Sequence, residues 1–489
     1  LTLVSRLRHL TQKLPRRGFA RDVATLSGAT ALSQVVALAA LPILTRLYPP
    51  QAYGLAAAFA SVVGLAGVVS ALRYEQAIPL PRTARGGWHL AIFALMVLAG
   101  TVLLAGLAAL WLGGAMADDL GMPHWAFSLL LAISIATLGA YQVTNYWAVR
   151  KSNFGTIART RIQQGLAGPA TQLVFGLLGF GPLGLIVGQI VGQCAGLVRL
   201  ARVMLADNVG VGRSVHRRSV GWAMQRYRRF PLYDSCAGLL NVAGGQAPIL
   251  LFAALFSPMV AGYYALASRM LSAPLGLVGR AVSQVLLPRI VKADRSGEAA
   301  QLLERLIRVL AMVALPPFAM VAVIAPEIVP LLFGAEWAPA GSVVAWTALW
   351  VGWQFICSPL SVVLIALEAQ RLNLVLQAAL LVLRIGALLI GALLASSDIA
   401  ILAFSIASAV GYAGYITITG IVAGLHARRI AVAVWQPALL AAVCLVLPVS
   451  KQFLSIPGLH YGVLMCVGAF WLWQASKALQ VAIEATRTT

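Results

Sequence analysis

Long apolar runs follow one another from end to end of this chain, and that succession restricts the folds open to it. Fourteen runs are expected to span a membrane, near 23–46, 52–72, 88–113, 124–149, 161–180, 183–204, 231–256, 259–287, 303–326, 340–367, 372–395, 399–424, 431–450 and 459–482. A spanning helix needs about 20 predominantly apolar residues. Lipid offers the backbone no hydrogen-bond partners, so each run must satisfy its own as a helix. Charged residues make up only 10% of the sequence, against about 25% in soluble globular chains. A water-soluble globule is excluded. The expected fold is all-α and polytopic.

The net charge of +22 would suggest nucleic acid in a soluble protein. Here the placement of the charges gives another reading. Arg6, Arg8, Lys13, Arg16, Arg17 and Arg21 precede the first run. Further basic clusters fall in every second connection, and the heaviest lies between Arg199 and Arg229. The opposite connections hold Lys451 as their one basic residue, together with Asp118, Asp119, Glu327, Glu336 and Asp398. Basic residues are retained on the cytoplasmic side of membrane proteins. Both termini are therefore expected in the cytoplasm, and no nucleic-acid partner is expected. The first run is too long for a cleaved signal peptide and reads as a retained span. Cys194, Cys236, Cys357, Cys444 and Cys466 are far apart, so neither a metal site nor a disulfide framework is suggested, and no cofactor is expected.

Two short turns resemble each other. Residues 47–54 read LYPPQAYG and residues 255–264 read LFSPMVAGYY. Aligning Pro50 with Pro258 pairs Leu47 with Leu255 and Gly54 with Gly262. With one residue lost afterwards, Arg73 pairs with Arg280, and LPR at 80–82 pairs with LPR at 287–289. The turns open the second and eighth spans, so both copies share one orientation. This pattern describes two parallel six-helix lobes. The expected organisation is a basic N-terminus (1–22), a first lobe (23–204), a basic linker (205–230), a second lobe (231–425), and two further helices with the C-terminus (426–489). The outer connections are short, and no extramembrane stretch is long enough for a catalytic domain, so an enzyme is not expected.

The stretches LSQVVALAALPILTRLYPPQAYG and RYEQAIPLPR, with the run from RFPLYDSCAG to VSQVLLPRI, resemble the Wzx-like polysaccharide transporters. These belong to the MOP exporter superfamily, with the MATE drug pumps and the lipid II flippases. The resemblance is clearest over the first two and the seventh and eighth spans. It implies a V-shaped pair of six-helix bundles working by alternating access. It also implies a substrate, an undecaprenyl-pyrophosphate-linked oligosaccharide, carried across the bacterial inner membrane. Membrane lipids would be partners, as would a polysaccharide polymerase and a chain-length regulator. A lipid II flippase and a cation-coupled multidrug exporter of the same fold are the alternatives. A membrane polymerase or ligase would need a large outward loop, which the sequence lacks.

A pyrophosphate needs cationic partners, and the planar fork of Arg suits it. A charge inside a membrane is costly and marks function by default. Arg269 and Arg384 lie deep within spans, and either binds the substrate or is held structurally. Arg46, Arg73 and Arg280 lie near span ends, where snorkelling to headgroups is the competing reading. Gln34, Asn241 and Gln246 either meet sugar hydroxyls or pair helices. No acid falls near a span centre, which favours an anionic substrate over a cationic drug. Asp234 and Glu75 are the candidates for a coupling-ion site, with Asp234 preferred and Glu75 also able simply to pair with Arg73.

Overall fold

The computed structural model describes residues 18–207, 221, 224–228, 230–295, 298–367, 369–453, 468, 469, 471 and 474. All regular structure among them is helical. Residues 1–17 of the expected basic N-terminus, the middle of the 205–230 linker and most of the last span, 459–482, lie outside the described residues.

Among the described residues, eight helices precede the linker. They are α1 (Gly18–Leu47), α2 (Pro50–Val69), the short α3 (Tyr74–Ala77), α4 (Ala84–Leu112), the short α5 (Gly114–Asp119), α6 (His124–Arg150), α7 (Phe154–Leu177) and α8 (Pro182–Ala206). A π-helical turn at Phe230–Asp234 leads into α9 (Ser235–Leu255). Then follow α10 (Pro258–Arg295), α11 (Ala299–Phe333), α12 (Ala338–Ala366), α13 (Gln370–Leu393), α14 (Ser397–Val422) and α15 (Ala427–Phe453). The long helices coincide with the first thirteen expected spans. Eleven of the described helices are long and apolar enough to cross a membrane. The protein is a multi-pass membrane protein.

The chain divides into two compact units, residues 1–246 and 247–489. The border falls inside α9.

In the first unit, small residues bring backbones together, as expected where lipid removes the hydrophobic drive between helices. Gly168 of α7 and Gly188 and Gly192 of α8 meet without intervening side chains. Hydroxyls add bonds across helices. Ser33 of α1 donates to the Arg161 carbonyl of α7 (2.7 Å), and Tyr48 donates to the Gln172 carbonyl (2.7 Å). Ser128 of α6 donates to the Gly106 carbonyl of α4 (2.5 Å). In the second unit an aromatic cluster joins Phe252, Tyr264, Trp350, Phe404 and Tyr412. Its edge-to-face contacts suit the ring quadrupoles.

The repeated turn is visible locally. Leu47 ends α1 and Leu255 ends α9, while Pro50 and Pro258 open the next helices. Proline suits a first helical position, where its missing N–H would have no partner. The copies then diverge. After α2 the chain breaks at Leu72 and Arg73, which both take left-handed backbone (φ 48° and 62°). The aligned stretch of the second copy stays helical through 287–289 to Arg295.

Candidate functional site

The break after α2 builds a charged cluster in the first unit. Left-handed backbone costs a non-glycine residue about 1–2 kcal/mol. Two consecutive such residues persist only where the surroundings enforce them. Arg150, at the end of α6, ties down the segment that follows α3. Its guanidinium donates to the carbonyls of Ile78 (3.0 Å), Pro79 (3.2 Å) and Thr83 (2.8 Å). Thr83 also caps α4 by accepting the Gly86 N–H (3.1 Å). The floor is apolar: Tyr74, Ala77, Ile78, Leu90, Phe93, Val143 and Trp147 form one buried cluster.

Glu75 sits on α3 within this frame, only 2% exposed. Its Oε2 has no hydrogen-bond partner. Burial pushes the carboxyl up to about 7, opposed by its backbone N–H and by Arg73 and reinforced by Asp234. Arg73 is half-buried, Asp234 is exposed, and both act electrostatically on Glu75. Tyr146 of α6 feels the same three charges. The structure thus brings Asp234, distant in sequence, to Arg73 and Glu75. Tyr146 and Gly238, whose missing side chain makes room for the Arg73 guanidinium, complete the group. Sequence reading singled out neither.

The remaining candidates of this unit lie elsewhere. Gln34 is half-buried on α1 with an unpartnered Oε1, and Arg46 is exposed at the end of α1. Asn241 is exposed on α9. Gln246 accepts a hydrogen bond from Ser61 of α2 (2.9 Å). Two other intramembrane amides also join helices. Gln172 donates to the Leu185 carbonyl (3.1 Å), and Thr137 donates to Gln193 (3.2 Å). An apolar groove of about 780 Å³ between α4 and α6, lined by Leu103, Leu107, Leu110, Trp125 and Leu129, carries no charge.

In the second unit Arg384 of α13 is 4% exposed. Its Nε donates to Ser408 Oγ (3.0 Å). Its guanidinium carbon lies 4.7 Å from the Tyr412 ring centre, 4.9 Å from Trp350 and 5.7 Å from Phe404. Arg269 of α10 is exposed. It stands about 15 Å along the helix from its start by the usual rise. Arg280 follows about three turns further on the same helix. Among the described residues no group of three His, Cys, Asp or Glu could hold a metal ion.

A model of the family described as polysaccharide biosynthesis protein matches residues 43–342. The succinoglycan biosynthesis transport protein ExoT of Rhizobium meliloti (strain 1021) is 27% identical over 333 residues. That match takes in 65% of this chain and 63% of the relative, less than two thirds of its length. Among solved structures, the lipid II flippase MurJ in an inward closed conformation aligns with a TM-score of 0.69 at 11% identity. That alignment covers 94% of this chain and 99% of MurJ. An inward-facing multidrug resistance MATE family transporter of the MOP superfamily aligns with a TM-score of 0.53 at 14% identity, covering 84% and 95% of the two chains. At such identities the likeness shows the fold, which is that of the MATE and MurJ transporters. The family match extends over more than half of the sequence, and the chain belongs to the polysaccharide biosynthesis protein family.

Proposed function

We propose that the protein is a flippase for undecaprenyl-pyrophosphate-linked oligosaccharide repeat units, working by alternating access in the bacterial inner membrane with both termini in the cytoplasm. The observation that carries this reading is a transporter-like fold, in a polysaccharide family, whose deep charges are arginines. Arg269 stands well inside α10, and no acid lies near the centre of a described span. A pyrophosphate leaving the headgroup layer needs such cations, and Arg offers both charge and a hydrogen-bonding fork. No bond is broken in the transfer, so the protein supplies a path rather than catalysis.

In this reading Arg269 meets the pyrophosphate at depth. Arg46, Arg73 and Arg280 meet it near the span ends. Gln34 and Asn241 meet sugar hydroxyls, with Gln246 where it is not engaged by Ser61. Arg384 acts on the substrate indirectly, through the packing of α12, α13 and α14. A polymerase and a chain-length regulator would take the product on the outer face.

Deleting the gene tests the reading. Surface polysaccharide should disappear while lipid-linked repeat units accumulate on the inner leaflet. Retained polymer with new sensitivity to cationic dyes would replace it by a drug exporter. Arrested peptidoglycan synthesis would replace it by a lipid II flippase.

A further inference from the structure

We propose that Glu75 is a reversible proton-binding site, and that its occupancy decides whether the Arg73 guanidinium is neutralised from within the protein or left to hold a phosphate-type anion. The second half rests on the function proposed above. The first half does not.

The geometry is unusual for a structural ion pair. Glu75 is almost fully buried, yet Oε2 has no hydrogen-bond partner. Arg73 also has an unpartnered buried atom, its Nε. The described residues contain no salt bridge joining the two. Arg73 sits on the left-handed break, and Glu75 follows two residues later in the short helix that the break opens. A carboxyl in such a place is held near the balance between its charged and neutral forms. Burial favours the proton, and so does Asp234, while Arg73 and the backbone N–H favour the anion.

The titratable groups on the packed elements are few. Arg73 precedes α3 itself. Tyr146 and Arg150 come from α6, Asp234 from the π-helical turn, and Arg85 and His89 from α4. Arg150 is committed to the carbonyls of Ile78, Pro79 and Thr83. Arg73 and Asp234 are the charges that act on Glu75, with opposite sign.

Of the two carboxylates, Asp234 is exposed and Glu75 is almost fully buried. Glu75 therefore takes the coupling role for which the sequence favoured Asp234. When Glu75 is ionised, Arg73 is compensated locally. When Glu75 takes a proton, the guanidinium keeps its charge and loses an internal counterion. Binding of an anion at Arg73 and of a proton at Glu75 then favour one another, and the linkage is reciprocal.

Infrared difference spectroscopy of the full chain in lipid nanodiscs, titrated against pH, tests both halves. A protonated-carboxyl band should appear as pH falls through neutrality and be lost in Glu75→Gln. Arg73→Gln should raise its midpoint and Asp234→Asn should lower it, each by about one pH unit, as expected for removal of a nearby charge. A neutral-range band that survives Glu75→Gln, or midpoints unmoved by both neighbouring variants, overturns the proton site. Inorganic pyrophosphate should then raise the wild-type midpoint and leave that of Arg73→Gln unchanged. A wild-type midpoint indifferent to pyrophosphate overturns the anion linkage while leaving the proton site standing. Neither result depends on which lipid-linked molecule is transported.

Discussion

The Arg73 guanidinium rests directly on Gly238 in the first turn of α9, so closely that a methyl group there would overlap it. Gly238 therefore leaves room for the arginine beside Glu75 while adding no charge of its own. Gly238→Ala should leave folding nearly intact, because the far end of a flexible side chain can move aside. The displaced cation would stabilise the Glu75 anion less. The carboxyl should then hold its proton to higher pH than in the wild type, by infrared titration. An unchanged midpoint would show that Arg73 keeps its place by another route.

Glu75 also ties stability to pH. Its folded value of about 7 lies above the ordinary 4.5, so the folded protein binds the proton more tightly than the unfolded one. Stability is then greatest below pH 4.5, falls as pH rises between the two values, and is lowest above about 7. A difference of this size corresponds to on the order of 3 kcal/mol. Glu75→Gln removes the titration and keeps the shape. The wild-type thermal midpoint should drop between about pH 5 and pH 8, whereas that of the variant should change much less. Parallel curves for the two proteins would mean that some other group carries the dependence.

Much of the fold was legible because apolar runs and basic connections leave few alternatives to spanning helices. The turn from Leu47 to Pro50 and its copy from Leu255 to Pro258 were readable for a local reason: proline marks a helix start. The break at Leu72 and Arg73 was not, since neither is glycine and the aligned second copy continues as helix. The local sequence carries no mark of it, and the Arg150 side chain that ties down the following residues Ile78, Pro79 and Thr83 arrives from α6. The same limit left Glu75 second to Asp234 among the coupling-ion candidates. In sequence Glu75 looks like any acid near a span end, and only the fold shows it buried. Gln172, Gln193 and Gln246 could be recognised as intramembrane amides, but their use in joining helices depends on partners distant in sequence.

Arg384 should behave as a packing residue. Trp350 and Tyr412 lie nearly parallel (11° between planes, centres 6.0 Å apart), and the guanidinium lies close to both rings. Losing its bond to Ser408 and its ring contacts in Arg384→Ala should cost about 3 kcal/mol. Arg384→Lys should recover little, since a compact ammonium cannot stack as a planar fork does. The measurement is the thermal midpoint of purified variants, alongside their abundance in the membrane. Full stability of Arg384→Ala with loss of transport would instead place this arginine on the substrate path.

Arg269 should behave in the opposite way. It is exposed on α10, and the protein should still insert after truncation. Arg269→Ala should abolish or severely reduce translocation, because a pyrophosphate at that depth would lose its cation. Arg269→Lys should recover part of the activity, since the charge survives and the fork geometry does not. Arg269→Gln should recover little, since it can hydrogen-bond but carries no charge. Surface polysaccharide in a complemented deletion strain, normalised to protein in the membrane, reads all three. If Gln supports transport as well as Arg at equal abundance, charge at this depth is unnecessary, and the pyrophosphate path must run past other cations.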